Sequence, residues 1–130
     1  MTIQIIPKNA AKSKVSYLNF RYPRRVAHDF YPTPPEAVRA LLSVEAFEGS
    51  IWEPACGDGA ISKVLIAAGH EVVSTDLIDR GYGQGGQDFL KSERPLAKHI
   101  ITNPPYGTNG LADLFVRRAL IHCRKTGGSV

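Results

Sequence analysis

The chain has 130 residues, 43% of them hydrophobic and 22% charged, with a formal net charge of +4. This is the composition of one ordinary globular domain, able to bury roughly two thirds of its unfolded surface, and it excludes wholesale disorder. No apolar run approaches the eighteen or so residues that a membrane-spanning helix needs, which excludes a membrane partner of that kind.

The excess charge sits at the start. Lys8, Lys12, Lys14, Arg21, Arg24 and Arg25 all precede the first acid, Asp29. Residues 1–28 therefore read as a basic N-terminal arm, suited to nucleic-acid phosphates or to a solvated terminus, ahead of a domain over 29–130. The opening MTIQIIPKNAAKSK lacks the charged-then-apolar order of a signal peptide. Cys56 falls in a glycine-rich loop and Cys123 in a helical stretch, and the histidines at 28, 70, 99 and 122 share no ligand spacing. That pattern points to neither a disulfide framework nor a metal site, and to a reducing cytoplasm.

Thr33-Pro34-Pro35-Glu36 has the spacing of a capping box, with Pro34 in the first helical turn. The helix it opens should bury Val38, Leu41 and Leu42 and stop by Gly49. Ser50 to Glu53 reads as a central strand, and Pro54-Ala55-Cys56-Gly57-Asp58-Gly59 as the loop that carries the chain into a helix near Ala60. Glycines in that loop admit positive φ and close approach to a ligand. Ile61, Val64, Leu65 and Ala68 share one helical face, and Gly69 ends the helix. Strand, glycine loop and helix make a nucleotide-binding unit. A dinucleotide fingerprint would need glycine where Ser62 stands, and the Gly-Lys-Ser/Thr end of a P-loop is missing, so a phosphate-free ligand is expected.

Glu71 to Thr75 reads as a second strand with Asp76 at its carboxyl end, where a carboxylate can accept from both hydroxyls of a ribose. Leu77 and Ile78 are placed to face a base. The segment from Asp79 to Gln87 holds four glycines and reads as irregular loop, with any third strand degenerate or very short. Ile100, Ile101 and Thr102 suit a buried parallel strand that turns sharply at Asn103-Pro104-Pro105-Tyr106. Consecutive prolines stiffen that turn and bar ladder pairing, leaving backbone carbonyls beside an amide and a phenol. A last helix from Asn109 or Gly110 should turn Leu111, Leu114, Phe115, Ala119 and Leu120 inward and Arg117, Arg118, Arg124 and Lys125 outward, ending at Gly127-Gly128.

Asn103-Pro104-Pro105-Tyr106 resembles the catalytic tetrapeptide of S-adenosylmethionine-dependent amino-methyltransferases, above all those acting on the exocyclic amine of adenine in DNA. The order of the Thr33 segment, the Glu53-to-Gly59 loop and Asp76 ahead of it resembles the same family, over roughly Asp29 to Gly107. The resemblance implies an α/β, partial Rossmann-like class I methyltransferase fold, a mostly parallel sheet with flanking helices that lacks the C-terminal strands. It implies catalytic roles for Asn103, Pro104, Pro105 and Tyr106. It also implies that S-adenosylmethionine is held by Tyr31, Thr33 and Pro34, by Glu53 and the loop Pro54, Ala55, Cys56, Gly57, Asp58 and Gly59, and by Asp76, Leu77, Asp88 and Phe89. In that reading Glu53 holds the amino group of the cofactor and Asp88 its adenine amine.

The same tetrapeptide resembles that of release-factor glutamine methyltransferases, whose side-chain amide poses the same electronic problem. A different class of reading is a truncated, non-catalytic remnant that binds cofactor or nucleic acid. With the last strand at an open sheet edge, pairing with a second copy is also expected.

Overall fold

The computed structural model describes residues 31–107 and 109–130. The basic arm expected over residues 1–28 lies outside the described residues. The elements run α1 (Pro35–Val44), β1 (Ile51–Glu53), α2 (Ala60–Ala67), β2 (Val72–Ser74), a 3-10 turn (Phe89–Lys91), β3 (His99–Ile100) and α3 (Leu111–Thr126). The three strands form a parallel sheet in the order β2-β1-β3, with helices on both faces, which is an α/β arrangement. Among the described residues, no helix is long and apolar enough to cross a membrane.

Successive side chains of a strand point to opposite faces, and the two cores follow that alternation. Ile51 and Ile101 enter one cluster with Val38 of α1, Phe47, and Ile61 and Leu65 of α2. Trp52 and Ile100 enter the other with Phe89, Phe115, Ala119, Cys123 and Val130. Strands buried on both faces read as continuous apolar runs, as Ile100-Ile101 does. Trp52 donates from Nε1 to Thr75 Oγ1 at 2.9 Å, so its polar edge is satisfied inside the core.

Local expectations were overridden where long-range contacts competed. No capping box forms at α1: Pro34 occupies the N-cap position without a side-chain cap bond. The Thr33 hydroxyl instead accepts from Asn103 Nδ2 at 3.0 Å. Ala68, the C-cap of α2, is exposed rather than inward. On α3, Leu114 is 47% exposed, and the inner face is completed by His122 and Cys123. Arg118 and Lys125 do not simply face water, because they donate to the Ser92 and Glu93 carbonyls.

His122 is fully buried beside Trp52 and Phe89. Ser92 Oγ donates to Phe89 O and stands 2.7 Å from His122 Nε2, so Nε2 carries the proton that Ser92 accepts. Burial, with Lys125 and Arg118 nearby, pushes the His122 pKa down and keeps the ring neutral.

The expected third strand is reduced to one parallel bridge, Thr75 to Gln84, outside β2. At the opposite edge the flank of β3 is not left uncovered, as its expected open edge would have been. Ile100 N donates to Ser129 O at 2.9 Å, and Ser129 N donates to His99 Nδ1 at 3.0 Å. Gly128 lies against the Lys98 carbonyl with no room for a Cβ, which is what lets the chain close onto this edge.

The two helix faces make a direct comparison. Leu65→Ala, at a fully buried site, should destabilise the fold by about 2–5 kcal/mol in urea unfolding. Leu114→Ala should stay within about 0.5 kcal/mol.

Candidate functional site

All three strands are parallel, so their carboxyl ends lie at one edge of the sheet, where ligands of open α/β sheets bind. A cavity of about 630 Å³ opens there. The chain leaving β1 supplies Pro54, Ala55, Cys56, Gly57 and Asp58; the chain leaving β2 supplies Asp76, Leu77 and Ile78. Asp88 and Phe89 close one side, Asn103 and Pro105 come from the turn after β3, and Tyr31 and Thr33 come from the segment before α1.

Thirteen of the eighteen expected site residues thus meet around one cavity, and five do not line it: Pro34, Glu53, Gly59, Pro104 and Tyr106. Pro34 is spent on the entry to α1, and Pro104 is buried behind the turn. Gly59 serves the turn instead: it takes φ +89°, and a Cβ there would meet the Tyr82 ring at 2.7 Å. Tyr106 is 39% exposed, and partial burial raises its phenol pKa. Arg80, Gln87, Leu111 and Phe115 line the cavity without having been singled out for it. Phe115 was legible as a core position of α3. Arg80 and Gln87 lie in a loop without periodicity, so no sequence signal marked them.

The loop after β1 is held by carboxylates. Gly57 N donates to Asp76 Oδ2 at 2.8 Å and Ile78 N to Asp76 Oδ1 at 2.9 Å. Ala60 N donates to Asp58 Oδ1 at 3.2 Å, and Leu90 N to Asp88 Oδ1 at 3.1 Å. Asp76, expected to be available for ribose hydroxyls, therefore has both oxygens engaged by backbone amides, with only its remaining lone pairs for a ligand. The Gly57 and Ala60 amides, which at such a loop could meet a phosphate, are thus already bonded to carboxylates. With Asp58, Asp76 and Asp88 against Arg80, the cavity wall is acidic and disfavours an anionic ligand.

Glu53 does not reach the cavity. It is fully buried at the end of β1, where Oε1 accepts from Thr102 Oγ1 at 2.6 Å and from Ala55 N at 3.0 Å. Desolvation is the largest influence and pushes its pKa from 4.5 up to about 8; the bonds from Thr102 and Ala55 oppose the rise, and Asp76 adds to it. Burial likewise pushes the Cys56 thiol up to about 12, so this thiol in the cavity wall is a weak nucleophile at neutral pH.

Asn103 is 8% exposed, with its amide oriented by the bond to Thr33. Its Oδ1 is buried and has no hydrogen-bond partner among the described residues. An oriented, unpaired acceptor at a cavity is able to receive an N–H from a ligand, and leaving it unmet costs about 1–3 kcal/mol.

Compared with protein-family models, with curated proteins and with solved structures, the chain finds no match.

The raised Glu53 pKa sets a sign for stability. The folded state keeps a proton that the unfolded chain loses above about 4.5, so its stabilising contribution is complete below that pH and declines as pH rises to about 8. Relative to Glu53→Gln, which cannot ionise, the unsubstituted chain should lose roughly 1.4 kcal/mol of unfolding free energy per pH unit across this window. Urea unfolding of both proteins at several pH values measures the difference.

Proposed function

We propose that this chain binds S-adenosylmethionine and is a methyltransferase of Rossmann-like class I type, acting on an exocyclic amino group, with adenine in DNA as the substrate. The observation that carries the reading is Asn103 Oδ1, a buried acceptor without a partner among the described residues, at a stiff Pro-Pro turn beside a cavity with acidic and apolar walls. The strand order, with a single bridge outside β2 and the cavity at the carboxyl ends of all three strands, supports the fold assignment.

The residues suit the cofactor. A volume of about 630 Å³ is within the ~300–1,000 Å³ of small-molecule sites. Pro54, Ala55, Leu77, Ile78 and Phe89 provide apolar surface for a purine, and Asp58, Asp76 and Asp88 provide acceptors for hydroxyl and amino groups. An acidic wall complements a ligand with a sulfonium and an ammonium and no phosphate. Bound there, S-adenosylmethionine supplies an electrophilic methyl group.

The chain's own residues address the nucleophile. An exocyclic amine conjugated with a ring is a poor nucleophile, because its lone pair is delocalised. Asn103 Oδ1, at the cavity, accepts one of its protons, which favours a tetrahedral nitrogen with a localised lone pair; the carbonyl of Pro104, buried off the cavity, reaches the second only if the turn shifts. Orientation of that nitrogen toward the bound cofactor is the main protein contribution: transfer would form the N–C bond as the sulfonium S–C bond breaks, releasing the demethylated thioether and passing the surplus proton to solvent. A strong base is not required, since the nitrogen becomes acidic only as the new bond forms. Tyr106, partly exposed beside the turn, stacks on the base for about 1–3 kcal/mol, which offsets part of the cost of extracting that base from a duplex.

Asn103→Ala should reduce transfer of labelled methyl to adenine-containing DNA by about 10²- to 10³-fold, the size of effect seen when one positioned hydrogen-bonding group is removed. Cofactor affinity by calorimetry should stay largely intact. Equal transfer by the variant would sink the mechanism. Saturable cofactor binding with no transfer to any amine would favour a binding remnant instead.

A further inference from the structure

Glu53 was expected to bind a cofactor amino group, yet it faces the protein interior. Its Oε1 accepts simultaneously from Ala55 N, in the loop that lines the cavity, and from Thr102 Oγ1, the residue before Asn103. Glu53 is 0% exposed and Thr102 3%, so water does not compete for these bonds. One carboxyl oxygen therefore joins the end of β1 to the turn after β3. From the other side, Thr33 holds the Asn103 amide itself.

We propose that Glu53 is a positioning residue: by holding Ala55 and Thr102 on one oxygen, it sets where the Asn103 amide stands relative to the cofactor cavity. The catalytic consequence rests on the methyl-transfer reading above, whereas the coupling of Glu53 to Asn103 does not.

The group works as a neutral carboxyl. The titratable groups that face it are Asp76, after β2, and Cys56, in the loop after β1; neither is a cation. An ionised Glu53 would be a buried charge without a counter-charge, the costliest form for this site. Because Oε1 already accepts two bonds, the proton belongs on Oε2, which is buried and has no partner among the described residues. Ionisation near pH 8 places a charge one residue from Asn103 and disturbs the turn. Glutamine keeps the accepting oxygen and cannot ionise. Valine in place of Thr102 removes the donated hydrogen bond at nearly constant shape, and serine retains it.

The test follows the Asn103 side-chain amide signals by ¹H–¹⁵N NMR of the full chain as pH is raised. The unsubstituted chain should show them shifting with a midpoint near 8, and Glu53→Gln should abolish that titration. Thr102→Val should displace the signals at every pH, and Thr102→Ser should restore them. In methyl-transfer assays, Thr102→Val should lower kcat by up to about 100-fold, the cost of a small misplacement of a reacting group, with KM for the cofactor unchanged. Thr102→Ser should recover kcat. Asn103 signals indifferent to both Glu53→Gln and Thr102→Val would overturn the proposal whatever the transfer assays show. Signals that respond as expected, in a protein that transfers no methyl to any amine, would uphold the coupling and overturn the methyl-transfer reading instead. Circular dichroism checks that each variant is folded, and Glu53→Gln decides the matter if Thr102→Val is not.

Discussion

Ile51, Trp52 and Glu53 are consecutive and wholly or almost wholly buried, but they serve three different environments, because strand side chains alternate faces and the last one closes the strand. Ile51 joins the core under α1 and α2, and Trp52 joins the core under α3. Glu53 lies where the central strand gives way to the loop at the cavity. The parallel partners on both sides of β1, and hence the shared edge on which every candidate site residue depends, follow from this strand being sandwiched on both faces. A one-residue slip would exchange the two cores and turn the acid out of its place.

The electrostatics of the site follow from the same edge. Where phosphate-binding loops leave backbone amides open at a helix start, this loop has its amides occupied by Asp58 and Asp76. The carboxylates give the loop a defined shape before any ligand arrives and make the wall acidic. Glu53 stands behind them as an uncharged acid, held in that form by burial. Its Oε2, without a partner among the described residues, is a stability deficit of the kind that geometry serving a site can impose. Among the described residues Asn103 Oδ1 is a further such deficit on the path from the cavity loop to the Pro-Pro turn, whereas that of His122 Nδ1 lies in the core beside Trp52 and Phe89.

At the far side of the sheet the polar groups are handled differently. His99 donates from Nε2 to Glu48 O and accepts at Nδ1 from Ser129 N, so one neutral tautomer satisfies both bonds. Residues 128–130 thereby cover the flank of β3, with Val130 in the core. The last turn of α3 is capped by Gly127 at φ +71°, and Thr126 Oγ1 donates to Lys98 O at 2.7 Å, so the helix end and the strand start are one unit.

The sequence by itself determined the order of elements, the parallel α/β class and most of the cavity wall. Those features depend on local causes: apolar runs of strand length, glycines at tight turns, helical spacing in Ile61-Leu65 and Phe115-Ala119, and carboxylates directly after strands. It also marked Asn103 as the group to watch, since a Pro-Pro turn after a buried strand isolates its neighbours from ladder pairing. Tertiary structure alone decided the partners of the polar side chains. Thr33 had the spacing of a helix cap, but Asn103 lies 70 positions away in the chain and within bonding distance in space. Glu53 looked like a ligand group until Thr102, 49 positions on, engaged its oxygen and burial held its proton. His122 carried no pattern at all and became a core residue because Ser92 met its ring nitrogen. Hydrogen bonds between distant segments leave no periodicity in the chain, so only the folded arrangement selects among the partners that local chemistry permits.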